Sequence, residues 1–215
     1  MHIPDGLIDA PAVLIGSYAV TGGVTWYSLH KISQQKNPQA KIPKASLLTA
    51  AFFVVNLIHI PLPPASIHLV LNGMMGVILG YYAFPAILIG LFFQAVMFQH
   101  GGLSTLGLNA IIMGIPALLA YGIFQLRYWT RIQESTQLKL FAFLAGTGGV
   151  MIAAVIFAIV VITTITGDID AEMERKAVYF GLAAYSIPAV VEGFFTMMLV
   201  AFLSRVKPEL LENNE

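Results

Sequence analysis

Residues 140–167 read LFAFLAGTGGVMIAAVIFAIVVITTITG, with no Asp, Glu, Lys or Arg anywhere in the run. So long an uncharged segment exceeds the ~20 apolar residues that carry a helix across a bilayer. It decides the fold class. Lipid offers no water to a bare backbone, so only helices and closed barrels cross it. Barrel strands alternate polar and apolar residues, and this run does not. Working outward, a second uncharged stretch extends from Ala45 to Leu126. Pro61-Leu62-Pro63-Pro64 and Gly101-Gly102 interrupt it, so it reads as several helices joined by turns. Of the 215 residues, 58% are hydrophobic and 10% charged, with a mean hydropathy of +0.81. A soluble domain carries about 25% charged residues, so this chain lacks the polar surface to cover itself.

The predicted fold is an all-α membrane protein, a bundle of about seven transmembrane helices in one integral-membrane domain, residues 1–215. A segment 1–8 precedes the bundle at 9–205, and a polar tail follows at 206–215. The helices are expected near 9–31, 45–60, 66–80, 84–99, 103–126, 138–165 and 177–205. Asp9 and Pro11 mark the first start. The segments 33–44, 127–139 and 168–176 are polar or charged loops. Helices three and four fall short of a perpendicular span, which points to a re-entrant helix or one cut short at a cavity.

Lys31, Lys36, Lys41 and Lys44, then Arg127, Arg131 and Lys139, then Arg205 and Lys207 fall on one side of such a bundle. The positive-inside rule makes that side cytoplasmic. The N-terminus is then outside, the C-terminus inside, in the cell's inner or plasma membrane. Asp5 and Asp9 without a Lys or Arg argue against a signal peptide, so the start is expected to be retained. The same topology puts His2, His59, His68 and His100 at outer helix ends and only His30 at the inner side. A lone histidine at a helix end is an ordinary interfacial residue. Four on one face point to a metal site.

The opening Met1-His2-Ile3-Pro4-Asp5-Gly6 sharpens that reading. A free amine on Met1, the backbone nitrogen of His2 and its imidazole close two fused chelate rings on one ion. The amide must lose its proton, which Ni(II) and Cu(II) drive. One further imidazole completes a four-nitrogen plane. An early histidine also arises by chance, and the motif alone does not decide. With no Cys, any metal uses nitrogen or oxygen ligands.

Glu192 is the formal charge inside a helix and a functional candidate for that reason. Its position midway along the helix favours a structural acid, hydrogen-bonded to a neighbour such as Asn72 or Asn109. Asn72, Gln94, Gln99 and Asn109 are costly in lipid and should face inward as glue between helices. Gly76 and Gly80 form a GxxxG face for packing within the chain or for docking another subunit. The nine Met residues read as packing. A zero net charge without a basic block argues against nucleic acid. The sequence holds no GxxxxGK[ST] for ATP hydrolysis and no HExxH. It holds no chain of acids and histidines for a proton relay, which weighs against a self-sufficient secondary permease. No nucleophile, base and metal constellation marks an enzyme. A metal-capturing bundle without an energy source implies a partner that supplies it.

The chain resembles the CbiM/NikM family, the substrate-specific components of energy-coupling factor transporters for cobalt and nickel. The likeness rests on Met1 to Gly6, on Ser66-Ile67-His68-Leu69, and on the long block from Gln94 through His100-Gly101-Gly102 to Asn109. Met113-Gly114-Ile115-Pro116-Ala117 and Glu192-Gly193 add to it. The resemblance implies a seven-helix bundle with the N-terminus inserted from outside. It implies Ni(II) or Co(II) as transported substrate, with no organic cofactor, in a square plane. The implied ligands are the Met1 amine, the His2 amide, the His2 imidazole and His68. His59, His100, Asn72 and Asn109 are expected to support the ligands or line the entrance. The implied partners are a membrane coupling (T) subunit, a small accessory membrane subunit and cytoplasmic ABC ATPases. Such systems carry ion transport that also feeds cobalamin biosynthesis. Cobalt-type members often carry a Ser-Cys-Ser-His loop, which this chain lacks. Its Pro-Asp-Gly opening is closer to nickel-type members, and nickel and cobalt both stay open. The sequence ends at Glu215, so no fused accessory domain is expected.

Overall fold

The computed structural model describes residues 2–8, 10–62, 65–130, 133–164 and 171–211. Seven α-helices lie among them: α1 (Pro11–Ser33), α2 (Ile42–Asn56), α3 (Asn72–Leu79), α4 (Ala83–Phe98), α5 (Leu106–Gln125), α6 (Glu134–Thr164) and α7 (Ala171–Val206). Pro11 opens α1, where its missing N–H and fixed φ cost nothing. Large apolar side chains such as Ile15, Trp26, Leu47, Met97, Ile159 and Met198 stay exposed on the outer faces. That is the surface of a helix bundle that meets lipid.

The sequence carries the second helix to Ile60 and starts the third at Ser66, and neither boundary holds. α2 stops at Asn56, and the chain forms an antiparallel hairpin of β1 (His59–Leu62) and β2 (Ala65–His68). His59 pairs with His68, and Pro61 with Ser66. Pro61 has no N–H to give a helix, whereas a two-stranded ribbon consists of edges, where proline is tolerated. The fold is therefore nearly all-helical rather than strictly all-α. Two later helices start earlier than expected. α6 begins at Glu134, and the backbone is already helical from Ala171, so most of the expected acidic loop forms the start of α7. Asp168, Ile169 and Asp170 lie outside the described residues.

Four stretches are long and apolar enough to cross a membrane: Asn72–Phe98, Leu106–Trp129, Glu134–Thr164 and Tyr179–Val206. The first is not one straight helix. At ~1.5 Å per residue a straight rod of that length would hold its ends about 40 Å apart. Yet the rings of His68, just before α3, and His100, just after α4, lie 6.1 Å apart. The chain reverses at a 3-10 turn, Gly80–Tyr82, which Gly80 enters at φ +58, a conformation open to glycine.

α3 is the short helix of the sequence reading, and all eight of its residues are buried. It spans only about 12 Å and never meets lipid, because α5 and α6 enclose it. A Cβ on Gly76 would sit 1.9 Å from the Ala117 carbonyl oxygen of α5, and one on Gly73 would sit 2.6 Å from that of Ala145 on α6. Gly76 thus packs within the chain, and Gly80 belongs to the turn rather than to a helix face. Asn72 ties the same three helices, its amide donating to Gly149 at 3.1 Å and Met113 at 3.4 Å.

Two hydrogen-bonded clamps mark the ends of the bundle. Lys44, in the first turn of α2, donates to the carbonyls of Ile78 and Leu210, both at 2.9 Å. Near the other end of α2, the Phe53 carbonyl accepts from Gln94, which also holds His2. The N-terminal segment and the C-terminal tail therefore lie at opposite ends.

Candidate metal centre

The N-terminal segment is gripped at three successive points. Ile3 is fully buried. Asn109 of α5 reads its backbone on both sides, accepting from the Ile3 N–H at 2.8 Å and donating to the Ile3 carbonyl at 3.0 Å. Thr105 donates to the same carbonyl at 2.6 Å. The Asp5 carboxylate then accepts from the backbone N–H groups of Leu103 (3.2 Å) and Ser104 (2.9 Å) and from the Ser104 hydroxyl. These bonds, the Ser104 hydroxyl first, hold its carboxyl below the usual carboxylate range. Gly101, at φ +79, and Gly102 let the turn come this close. A Cβ on Gly102 would lie 2.7 Å from the Asp5 backbone nitrogen and nearer still to its carboxylate. α1 braces the turn from outside, with Thr21 donating to the Gly107 carbonyl at 2.8 Å.

Docking in this way brings His2 to two other histidines. Ring nitrogens of His2, His68 and His100 all lie within 4.8 Å of one another. The His2 ring is 4.2 Å from that of His100 and 5.2 Å from that of His68. Their tautomers follow from their partners. Gln94 gives its amide N–H to the Phe53 carbonyl, so its oxygen faces His2 at 3.1 Å and accepts from Nε2–H. A neutral His2 then carries its lone pair on Nδ1, which is buried without a hydrogen-bond partner. His68 is buried, and its Nδ1–H donates to the Leu69 carbonyl at 3.0 Å, which leaves the lone pair on Nε2. Burial lowers the His2 pKa well below the ordinary value, helped by the amino-terminal charge and by His68 and His100. Imidazole nitrogens gathered this closely suit a borderline divalent metal such as nickel or cobalt.

The other expected residues sort as follows. Met1 and the side chain of His59 lie outside the described residues; the backbone register of the hairpin places His59 opposite His68. Asn109 serves the site by holding Ile3. Asn72 does not, because its amide is committed to α5 and α6. Glu192 is a buried acid, but not through Asn72 or Asn109: it accepts from the backbone N–H groups of Val70 and Leu71, the latter at 2.7 Å. His30 stacks on Trp26 near the far end of α1, away from the cluster. Three contributors have a role that the sequence reading does not assign. Gln94 was assigned to glue, though a lone amide six residues before His100 in an apolar helix is a signal. Asp5 and Thr105 stand in the motifs that carry the resemblance, but neither is given a role at the site there.

Residues 2–210 match the family described as the cobalt uptake substrate-specific transmembrane region, CbiM. The chain belongs to the CbiM family. Its relatives include a cobalt transport protein CbiM of Chlorobium limicola, 30% identical over 222 residues, covering 98% of this chain and 83% of that protein. A fused nickel transport protein NikMN of Rhodobacter capsulatus is 29% identical over 223 residues, covering 98% of this chain and 64% of its own length. A crystal structure of a transition metal transporter shares the fold, with a TM-score of 0.76 at 21% identity, covering 99% of this chain and 95% of that one. This CbiM-type chain is a multi-pass membrane protein of cobalt and nickel transport.

Proposed function

We propose that the chain is the metal-capturing subunit of an ATP-driven importer of the energy-coupling factor type, with Ni(II) or Co(II) as substrate. One observation carries this reading: the buried, unpartnered Nδ1 of His2, placed among the imidazoles of His68 and His100 by a gripped N-terminal segment. Nδ1 is the ring nitrogen that closes a six-membered chelate with the His2 amide. A free Met1 amine closes the adjoining five-membered ring, and His68 Nε2 supplies the fourth nitrogen. His100 guides the ion to this plane, and Asn109, Gln94 and Asp5 hold the chelating segment in place. The site faces outside, at the end of a seven-helix bundle away from Lys44 and the tail. Ions are captured there and released inside after the subunit moves against its partners.

Those partners are a membrane coupling subunit, a small accessory membrane subunit and cytoplasmic ATPases. Support comes from the missing nucleotide motif of this chain and from the fusion of a nickel-transport relative to a further segment. Mild extraction from the native membrane, followed by protein and metal analysis, tests the reading. Expected is one nickel or cobalt per chain, together with ATPase subunits. Metal uptake into vesicles by the purified chain alone, without ATP, would contradict it.

A further inference from the structure

His68 ends β2, and the strap that follows it to α3, residues 69–71, is held from a helix on neither side of it. Glu192 of α7 is 1% exposed, and its carboxyl oxygens accept the N–H groups of Val70 and Leu71. These are the second and third residues after His68, and Leu71 caps α3. Leu71 takes a left-handed conformation, φ +56, unusual for a residue with a side chain. Such a conformation persists only where its surroundings hold it. The two N–H groups lie before the first turn of α3 and have no carbonyl behind them within the helix. Glu192 supplies both acceptors across 122 and 121 residues of chain. Pro188, one turn before it, removes a hydrogen bond from α7, the kind of point at which long helices bend.

We propose that Glu192 is the positioning residue of the metal site. It sets His68 for coordination by gripping the strap behind it, and so ties metal affinity to the setting of α7. The inference rests on the metal-capture reading above and adds that α7, which supplies no ligand, controls the fourth one. A displacement of α7 by a partner subunit would withdraw His68 while leaving the N-terminal chelate in place, a route to release.

The test uses the full chain with its native N-terminus, titrated with Ni(II) by calorimetry and by the absorption of the bound nickel. Glu192→Gln keeps the shape but presents an N–H to one of the two backbone donors. Phe124→Leu, a cavity near Arg127 at the opposite end of the bundle, serves as a packing control. Expected for E192Q is an affinity about 10–100-fold lower, as for the loss of a group that orients a ligand, with a shifted nickel band. F124L should lower the Tm comparably without moving affinity or band. If E192Q does not fold, Glu192→Asp, which retracts the carboxyl by one methylene, is held to the same expectation. An affinity within twofold of wild type and an unshifted band, in whichever variant is measured, would overturn the positioning role. Failure of the wild-type chain to bind Ni(II) or Co(II) would instead overturn the metal-capture reading.

Discussion

The two ring nitrogens of His2 have different tasks. Nε2 is spent on Gln94, which leaves Nδ1 for an ion. His68 differs, with its Nδ1–H spent on the Leu69 carbonyl. Replacing His68 by Ala should therefore lower Ni(II) affinity by more than about 100-fold. His100→Ala should cost about 10–100-fold, the usual scale for a residue that supports a metal ligand. His30→Ala should cost nothing. Calorimetric titration of the three variants checks this. An intact affinity in H68A together with abolished binding in H100A would exchange their roles. The sequence revealed which histidines share an end of the bundle, because that follows from helix count and basic loops. It did not reveal that the His100 ring sits nearer His2 than the His68 ring does, since the turn after α4 sets that orientation.

The element that makes the site is the N-terminal segment, and the turn 101–105 is its receptor. At Gly102 the two meet so closely that a methyl would strike the Asp5 carboxylate at 2.0 Å and the Asp5 backbone nitrogen at 2.7 Å. Gly102→Ala should lift the segment and weaken Ni(II) binding at least tenfold, with little change in Tm, because the helices do not depend on the contact. An unchanged affinity would show that the segment does not need this seat. Asp5 adds a sign with pH. Its carboxyl is held below the usual range by Ser104 and the turn amides, so the grip is complete above about pH 4 and is lost as pH falls through the lowered value. The protection of the Ser104 amide against hydrogen exchange, taken relative to its intrinsic rate at each pH, should fall over that range. An unprotected Ser104 amide already at pH 7 would contradict the grip. The double glycine was legible as a break, but not as a seat for the chain's own beginning. The hairpin at 59–68 was hidden for a related reason. Its apolar residues fit a helix end as well as a strand, and only the prolines spoke against the helix. α3 was legible as too short, and its burial between α5 and α6 explains why that is tolerated.

At the scale of the molecule, the chain is a bundle with its N-terminal segment at one end and its tail at the other. The absence of Cys makes single introduced cysteines clean reporters of sidedness. With an impermeant maleimide on intact cells, Leu7→Cys should label and Gln34→Cys should not. Labelling of both would break the proposed topology. The uncharged runs made the membrane class legible at once, because no soluble fold survives them. The reversal at Gly80 was legible only as a spacing between two short helices. What most separates this account from any site built on imidazoles alone is the free amine of Met1. An α-amine ordinarily titrates at about 7.7–8.0, so it must lose a proton to coordinate, and so must the His2 amide. His2 itself is held neutral by burial. The decisive measurement is a Ni(II) titration, with proton release followed, of the native chain and of a chain extended by one residue before Met1. The native chain should bind tightly, release more than one proton per metal and give a yellow, diamagnetic square-planar complex, while the extended chain should lose tight binding. Equal affinity in both chains, with a paramagnetic complex and one proton or fewer released, would contradict the terminal chelate and the roles of Met1 and His2.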